Sequence, residues 1–154
     1  MDMPKITDQH RKLYALVGDW EGEETFSASP WGPAGTATGK LHVRIDLNGF
    51  FVLQDYVQEK AGRVSFSGHG IFGYDQEAAN HIWYWVDSTG FVPDAPARGS
   101  FENGVLRLER TSPRASARYT HRFEQDGSYH FQIENSFDQQ KSWQTFMSAL
   151  FHRK

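Results

Sequence analysis

No cysteine occurs among the 154 residues, which excludes disulfides, thiolate metal sites and a cysteine nucleophile. No apolar run approaches the length of a membrane-spanning helix, and the N-terminal MDMPKITDQHRK is polar where a secretory signal would carry about 7 to 15 apolar residues. A soluble cytoplasmic protein is the expectation. Charge of neither sign dominates: the net charge of -3 and a pI near 6.1 give no global attraction to nucleic acid or to an anionic membrane, and neither is expected as a partner. Also missing are a Gly-x-Ser-x-Gly elbow and a His-Glu-x-x-His motif. No helix follows Gly68-His69-Gly70 to make it a phosphate cradle.

Rings are plentiful instead: 12 Phe, 6 Tyr and 5 Trp point to an interior built from aromatics as well as aliphatics. Residues 7–17 predict one short helix, with Thr7 or Asp8 as cap, Leu13, Leu16 and Val17 on one side and Gly18 as the stop. From Trp20 onward the apolar period is 2. Strands are predicted at 19–27, 36–47, 50–59, 63–73, 81–87, 91–102 with a Pro-interrupted start, 105–111, 117–125, 128–137 and 143–151. Asn48-Gly49, Asn103-Gly104 and Asp126-Gly127 suit two-residue hairpin turns, with Lys60-Ala61-Gly62 and Ser88-Thr89-Gly90 as further turns. About ten antiparallel strands joined by sequential hairpins predict one all-β domain, an up-and-down barrel spanning about 19–152 behind its helix.

A two-residue turn at Asn48-Gly49 sets Ile45 opposite Val52, Val43 opposite Gln54 and Leu41 opposite Tyr56, an apolar interior face that also carries two polar side chains. Arg44 and Asp55 fall on the other side. The turn at Asp126-Gly127 leaves the choice of face open: Arg122, Thr120 and Arg118 stand across from Phe131, Ile133 and Asn135, while Phe123, His121 and Tyr119 stand across from His130, Gln132 and Glu134. In HIWYWVDS (81–88), Trp83 and Trp85 share one face, assigned to the interior. Tyr84 takes the other, which the helix, a loop or a second subunit would cover. Gly68 and Gly70 let a ligand or another backbone approach closely beside His69, or mark a bend.

GDWEGE at 18–23, behind a helix carrying H..L..L, resembles the Gly-x-Trp opening of the calycins, the superfamily of lipocalins and fatty-acid-binding proteins. Taken with GHGIFGYD at 68–75 and WVDS at 85–88, the chain resembles the bacterial family catalogued as domain of unknown function 1579 from His10 to its last strand. That resemblance implies a ten-stranded lipocalin-like barrel with the helix near one mouth, Trp20 packed at the closed end, and no established activity. A more distant similarity is to nitrobindin, a haem-binding barrel. Here Glu23 and Glu24 replace the glycine pattern of its opening, and Phe146, Met147 and Ser148 occupy the middle of the strand that bears its axial histidine. Haem is therefore disfavoured, and no cofactor is expected. Fatty-acid-binding proteins hold a carboxylate with inward Arg and Tyr; Arg122, Arg118 and Tyr119 have that chemistry without the spacing.

The preferred reading is a non-catalytic binder of a small, partly apolar molecule inside the barrel. Trp20, Phe26, Gln54, Tyr56, Trp83 and Trp85 form the walls, His69 is a contact, and Arg44 or Arg122 meets an anionic end if either turns inward. One alternative is an enzyme in the same cavity with Glu24, Asp55, His69 or Glu134 as acid or base. Another is a structural homodimer with a filled barrel. His121, His130 and Glu134 would converge on a metal only if that face pointed inward, and no metal site is expected. Six arginines between Arg98 and Arg122 read as a solvated outer face in preference to a phosphate strip.

Overall fold

Turn chemistry decides where each strand stops. In the computed structural model, which describes Met1–Lys154, ten strands follow one another: β1 Gly18–Phe26, β2 Gly35–Asp46, β3 Phe51–Lys60, β4 Arg63–Asp75, β5 Asn80–Asp87, β6 Ala97–Glu102, β7 Val105–Thr111, β8 Ser116–Phe123, β9 Tyr129–Ser136 and β10 Gln144–Arg153. Each pairs antiparallel with the next, and β1 pairs with β10 to close the barrel, so no strand is left at a sheet edge. Ala61-Gly62 and Asn103-Gly104 form two-residue turns with positive φ at both positions, fixing Lys60↔Arg63 and Glu102↔Val105.

The turns at Asn48-Gly49 and Asp126-Gly127 differ from expectation in form. Around Asn48 the chain makes a short 3₁₀ turn over Leu47–Gly49, with the Leu47 amide donating to the Asp46 carboxylate (2.7 Å). The ladder therefore ends at Asp46↔Phe51, but the register is the expected one: Ile45↔Val52, Val43↔Gln54 and Leu41↔Tyr56. Around Asp126 the loop has three residues, not two. Asp126 accepts from both the amide (2.9 Å) and the hydroxyl (2.6 Å) of Ser128, Gly127 takes a positive φ, and Phe123 pairs with Tyr129. That single added residue sets His121 opposite Phe131 and Tyr119 opposite Ile133, since a one-residue slip exchanges the faces of a strand.

The predicted helix over 7–17 is an α-helix only at Asp8–Lys12 (α1), tightening to a 3₁₀ turn over Leu13–Leu16. His10, Leu13 and Leu16 are buried. A three-residue repeat stacks such positions on one face, so the tightening aims all three side chains into the barrel end. Lys12 donates to the Phe101 carbonyl (2.9 Å), Tyr14 to the Gly49 carbonyl (2.8 Å) and the Trp20 indole to the Leu16 carbonyl (2.9 Å). The plug is thereby stitched to three separate strand ends. It does not cover the outer face of β5, where Tyr84 and Val86 stay exposed. No helix is long and apolar enough to cross a membrane. β6 begins at Ala97 and not at 91, because Pro93 and Pro96 bring no amide to a ladder.

Candidate functional site

Alternation along the strands places Trp20, Leu41, Val43, Val52, Gln54, Tyr56, Phe72, Trp83, Leu106, Leu108, Tyr129 and Phe151 inside, and all are buried. Near the helix the lumen is solid: Phe72 stacks on Trp83 (5.5 Å), Trp20 meets Tyr129 edge-on (4.7 Å), and Phe101 stacks on Phe123 (5.6 Å). The opposite half differs. Phe66, Trp85, Tyr119, Phe131 and Ile133 also point inward, by their register with Gln58, Gly70, Leu108, His121 and Tyr119, yet each is only half-buried. An inward side chain in the middle of a strand can meet solvent only through the lumen. The barrel is therefore tightly filled at its helix end and more open toward the other, where the loops 27–34, 88–96 and 137–143 lie.

Two glycines of β4 make room for the indoles. A Cβ at Gly68 would run into the six-membered ring of Trp85, and one at Gly70 would run into the Trp83 indole nitrogen and the Gln54 side-chain oxygen. The close approach anticipated at Gly-His-Gly is real, and tryptophans of the neighbouring strand make it. His69 itself faces outward and is bonded to Asp55 (2.9 Å).

One acid lies inside. Glu24 is 0 % exposed; the Tyr56 hydroxyl shares its proton between the two carboxylate oxygens (2.6 and 2.7 Å), and the Gln58 amide donates to one of them (3.1 Å). Burial raises the Glu24 carboxyl above the usual range, against the pull of those two donors. Burial and the neighbouring Glu24 together push the Tyr56 phenol up, so it remains a donor. A carboxyl whose folded pKa is raised contributes stability that is fully present below its ordinary value of about 4 and is lost as pH rises through the folded value. Glu24→Gln, uncharged and of equal size, is therefore expected to have a higher urea midpoint than the parent at pH 8 and to converge with it near pH 4. A separation independent of pH would show that Glu24 is not the titrating group.

The sequence-predicted site residues divide between the two sides of the wall. Trp85 lines the hollow half, with its indole nitrogen on Asp87 (2.8 Å); Tyr56 stands over Glu24, and Phe26 packs at the mouth against Phe146 (5.7 Å). Trp20, Trp83 and Gln54 belong to the filled half, where the Trp83 indole donates to Gln54 (3.3 Å). Arg44, His69 and Arg122 do not face the lumen. Arg44 shares the outer face with Asp55 and bonds it (3.0 Å), and Arg122 pairs with His130 on the outside because of the three-residue turn. The same turn separates the metal trio: His121 is inside, whereas His130 lies near Glu124 (3.6 Å) and Glu134 is held in two-pronged fashion by Arg118 (3.0 and 3.1 Å), both on the outer wall. Of the acid and base candidates, Asp55, His69 and Glu134 are outside and Glu24 alone is inside.

The arginine run does not form a strip either. Arg98 bonds Asp75 (2.9 Å), Arg118 bonds Glu134, and Arg110 points inward at the end of β7. Sequence reasoning overlooked Gln58, Phe66 and Arg110 as lining residues; alternation carried two steps beyond Tyr56 reaches the first of them. Phe131 and Ile133 would have followed from a three-residue reading of the Asp126 turn, for which Ser128 after Gly127 is the only local signal.

His121, the histidine inside the barrel, offers no seat for a haem. His121 is pushed down to about 3 by burial and is neutral. Its Nδ1 has no hydrogen-bond partner, but Phe131, Phe72, Tyr129 and Trp83 surround it with ring centres 4.6 to 6.3 Å away. A flat macrocycle does not fit among four rings at that spacing. On the outer wall a groove of about 560 Å³ crosses β1 to β4 past Asp19, Lys40, His42, Asp55 and His69. Its polar groups already bond one another: Asp19 with His42 (2.6 Å), Asp55 with Arg44 and His69, and Lys40 with Glu59 (3.1 Å). The open half of the lumen is the better candidate for a ligand because Phe66, Tyr119, Phe131 and Ile133 there keep accessible apolar surface.

A family model described as protein of unknown function (DUF1579) matches residues 5–153. Among solved structures the chain is similar to Rv2717c from M. tuberculosis, with 13% identity and a TM-score of 0.73 over 97% of this chain and 99% of that one. It is also similar to the S-type phycobiliprotein lyase CPES from Guillardia theta, with 12% identity and a TM-score of 0.66 over 98% of each chain. At such identities the likeness is one of fold. Comparison with curated proteins gives no significant match.

Proposed function

We propose that this chain, which belongs to the DUF1579 family, binds a small, partly apolar molecule in the hollow half of its barrel, without catalysis. The observation that carries this reading is the accessible surface retained by Phe131 and Ile133, two inward residues in the middle of β9. Trp85, Tyr119 and Phe66 widen that apolar lining toward the mouth, and Tyr56 and Gln58 add polarity at one wall. Each 100 Å² of apolar surface removed from water contributes about 2.5 kcal/mol before the costs of ordering.

The neutral dye Nile red is the probe for this reading. Its emission is expected to rise and shift to the blue on binding, and Ile133→Trp, which fills the hollow half, is expected to abolish that signal while the protein unfolds at an unchanged urea midpoint. Val86→Asp on the outer wall is expected to leave it intact. Dye binding that survives Ile133→Trp and is lost in Val86→Asp would move the site to the outside and end the proposal.

A further inference from the structure

The wall beside the hollow half has a gap. β5 and β6 share only three pairs, His81↔Gly99, Ile82↔Arg98 and Trp83↔Ala97, although β5 remains paired with β4 as far as Asp87. The backbone from Tyr84 to Asp87 therefore has no ladder partner on the β6 side, and residues 88–96 cross the opening as a strap. The strap is held at its start by the Ser88 amide on the Ser67 carbonyl (2.9 Å), the Ser67 amide on the Ser88 hydroxyl (3.1 Å) and the Thr89 amide on Asp87 (3.0 Å), and farther along by Phe91 beneath the Arg114 guanidinium (4.7 Å) and Asp94 on Arg110 Nη2 (3.0 Å).

Arg110 is the unusual member. It shares the inward face of β7 with Leu106 and Leu108, and its Nε is buried with no hydrogen-bond partner. A guanidinium carries five donors, and a buried donor left unmade is costly. The one carboxylate that Arg110 meets belongs to Asp94, whose side chain is 72% exposed on the strap; pairs that open to water exchange readily. The nearby Asp87 is already taken, by the Trp85 indole and the Thr89 amide (3.0 Å). Tyr119 lies close enough for its hydroxyl to feel both Arg110 and Asp87, and its ring packs on Trp83 (4.9 Å). A cation with spare donors thus stands at the rim of a chamber walled by rings, behind a strap that Asp94 ties to it.

Building on the lumen reading above, we propose that Arg110 anchors the carboxylate of an apolar monocarboxylic acid at the gap between β5 and β6, and that Asp94 occupies this position until the ligand displaces it. Planar two-pronged pairing with a carboxylate is what a guanidinium does best, and the acid's hydrocarbon body then lies against Trp85, Tyr119, Phe131 and Ile133. Displacing Asp94 frees one of the two ties in the middle of the strap, so entry of the ligand and loosening of the strap are one event.

Displacement of bound Nile red by decanoate and by decanol at pH 7.5 tests this. The wild-type protein is expected to bind decanoate at least tenfold more tightly than decanol. Arg110→Gln is expected to bring the two to parity by weakening decanoate alone, and Asp94→Asn, a change on an exposed loop that leaves the barrel intact, to tighten decanoate several-fold with decanol unchanged. Equal binding of the two probes by the wild-type protein, or a preference for decanoate that survives Arg110→Gln, would overturn the anchor while the lumen reading stood. Failure of Nile red to bind at all would overturn both.

Discussion

Phe72→Ala is expected to lower the stability of the protein by about 3–5 kcal/mol, the range for removing a fully buried aromatic ring. The ring is 0% exposed, stacks on Trp83 and meets His121 edge-on at 5.7 Å, and its neighbours are too tightly held to collapse into the space it leaves. Ile133→Ala removes a side chain of the same interior face that is already partly accessible, so a loss at the low end of the range for such truncations, about 2 kcal/mol, is expected. Urea unfolding at matched m-values measures both. The contrast follows from the distribution of space along the barrel, since a uniformly packed core would make the two losses similar in size. Removing the ring would also leave a cavity beside the unpartnered Nδ1 of His121, adding to the cost of the mutant.

Gly99→Ala is the second large loss expected, about 3 kcal/mol, the upper end of the range for forced overpacking. Gly99 lies opposite His81 on β5 and Leu108 on β7, and an added Cβ would run into the carbonyl oxygen of Arg107. Backbone in a ladder cannot yield as a side chain can, so the substitution would have to part β6 from β7. β6 has little in reserve, being held to β5 by three pairs. Gly68→Ala is the control: its obstacle is the ring of Trp85, a side chain that can shift where backbone cannot, so a loss of about 1 kcal/mol with a changed tryptophan emission is expected. Thermal unfolding followed by fluorescence separates the two variants.

How legible all this was in the sequence depended on what fixes each register. At Ile45↔Val52 both apolar faces agree with any turn that keeps the same pairing, so the register was readable even though the turn at Leu47–Gly49 has a different form. At Asp126-Gly127 the faces are each of mixed polarity, and the register rests wholly on turn length. The bonds from Ser128 to Asp126 add one residue to the loop, and the pairing of every residue from Tyr119 to Ile133 changes with it. Arg122 and His130, expected near the lumen on one reading or the other, face out for that reason.

The ten strands, their order and the N-terminal plug could be read from period and punctuation. The split of the lumen into filled and hollow halves could not, because it depends on side-chain volumes summed across ten strands at each level. The glycines illustrate the difference. Gly68 and Gly70 announce a close approach in the sequence, but only the β4–β5 register identifies Trp85 and Trp83 as the groups that come close. Glu24 was visible as one acid among several; its isolation inside with Tyr56 and Gln58 comes from the pairing of β1 with β2 and β2 with β3.

Paramagnetic broadening of methyl resonances by the small neutral nitroxide TEMPO tests the hollow half most directly. The δ1 methyl of Ile133, in mid-strand and facing inward, is expected to broaden strongly, whereas the methyls of Leu106 and Val52, equally inward but at the filled end, stay sharp. Equal sharpness of all three would mean a barrel packed solid from end to end, with no chamber for a guest.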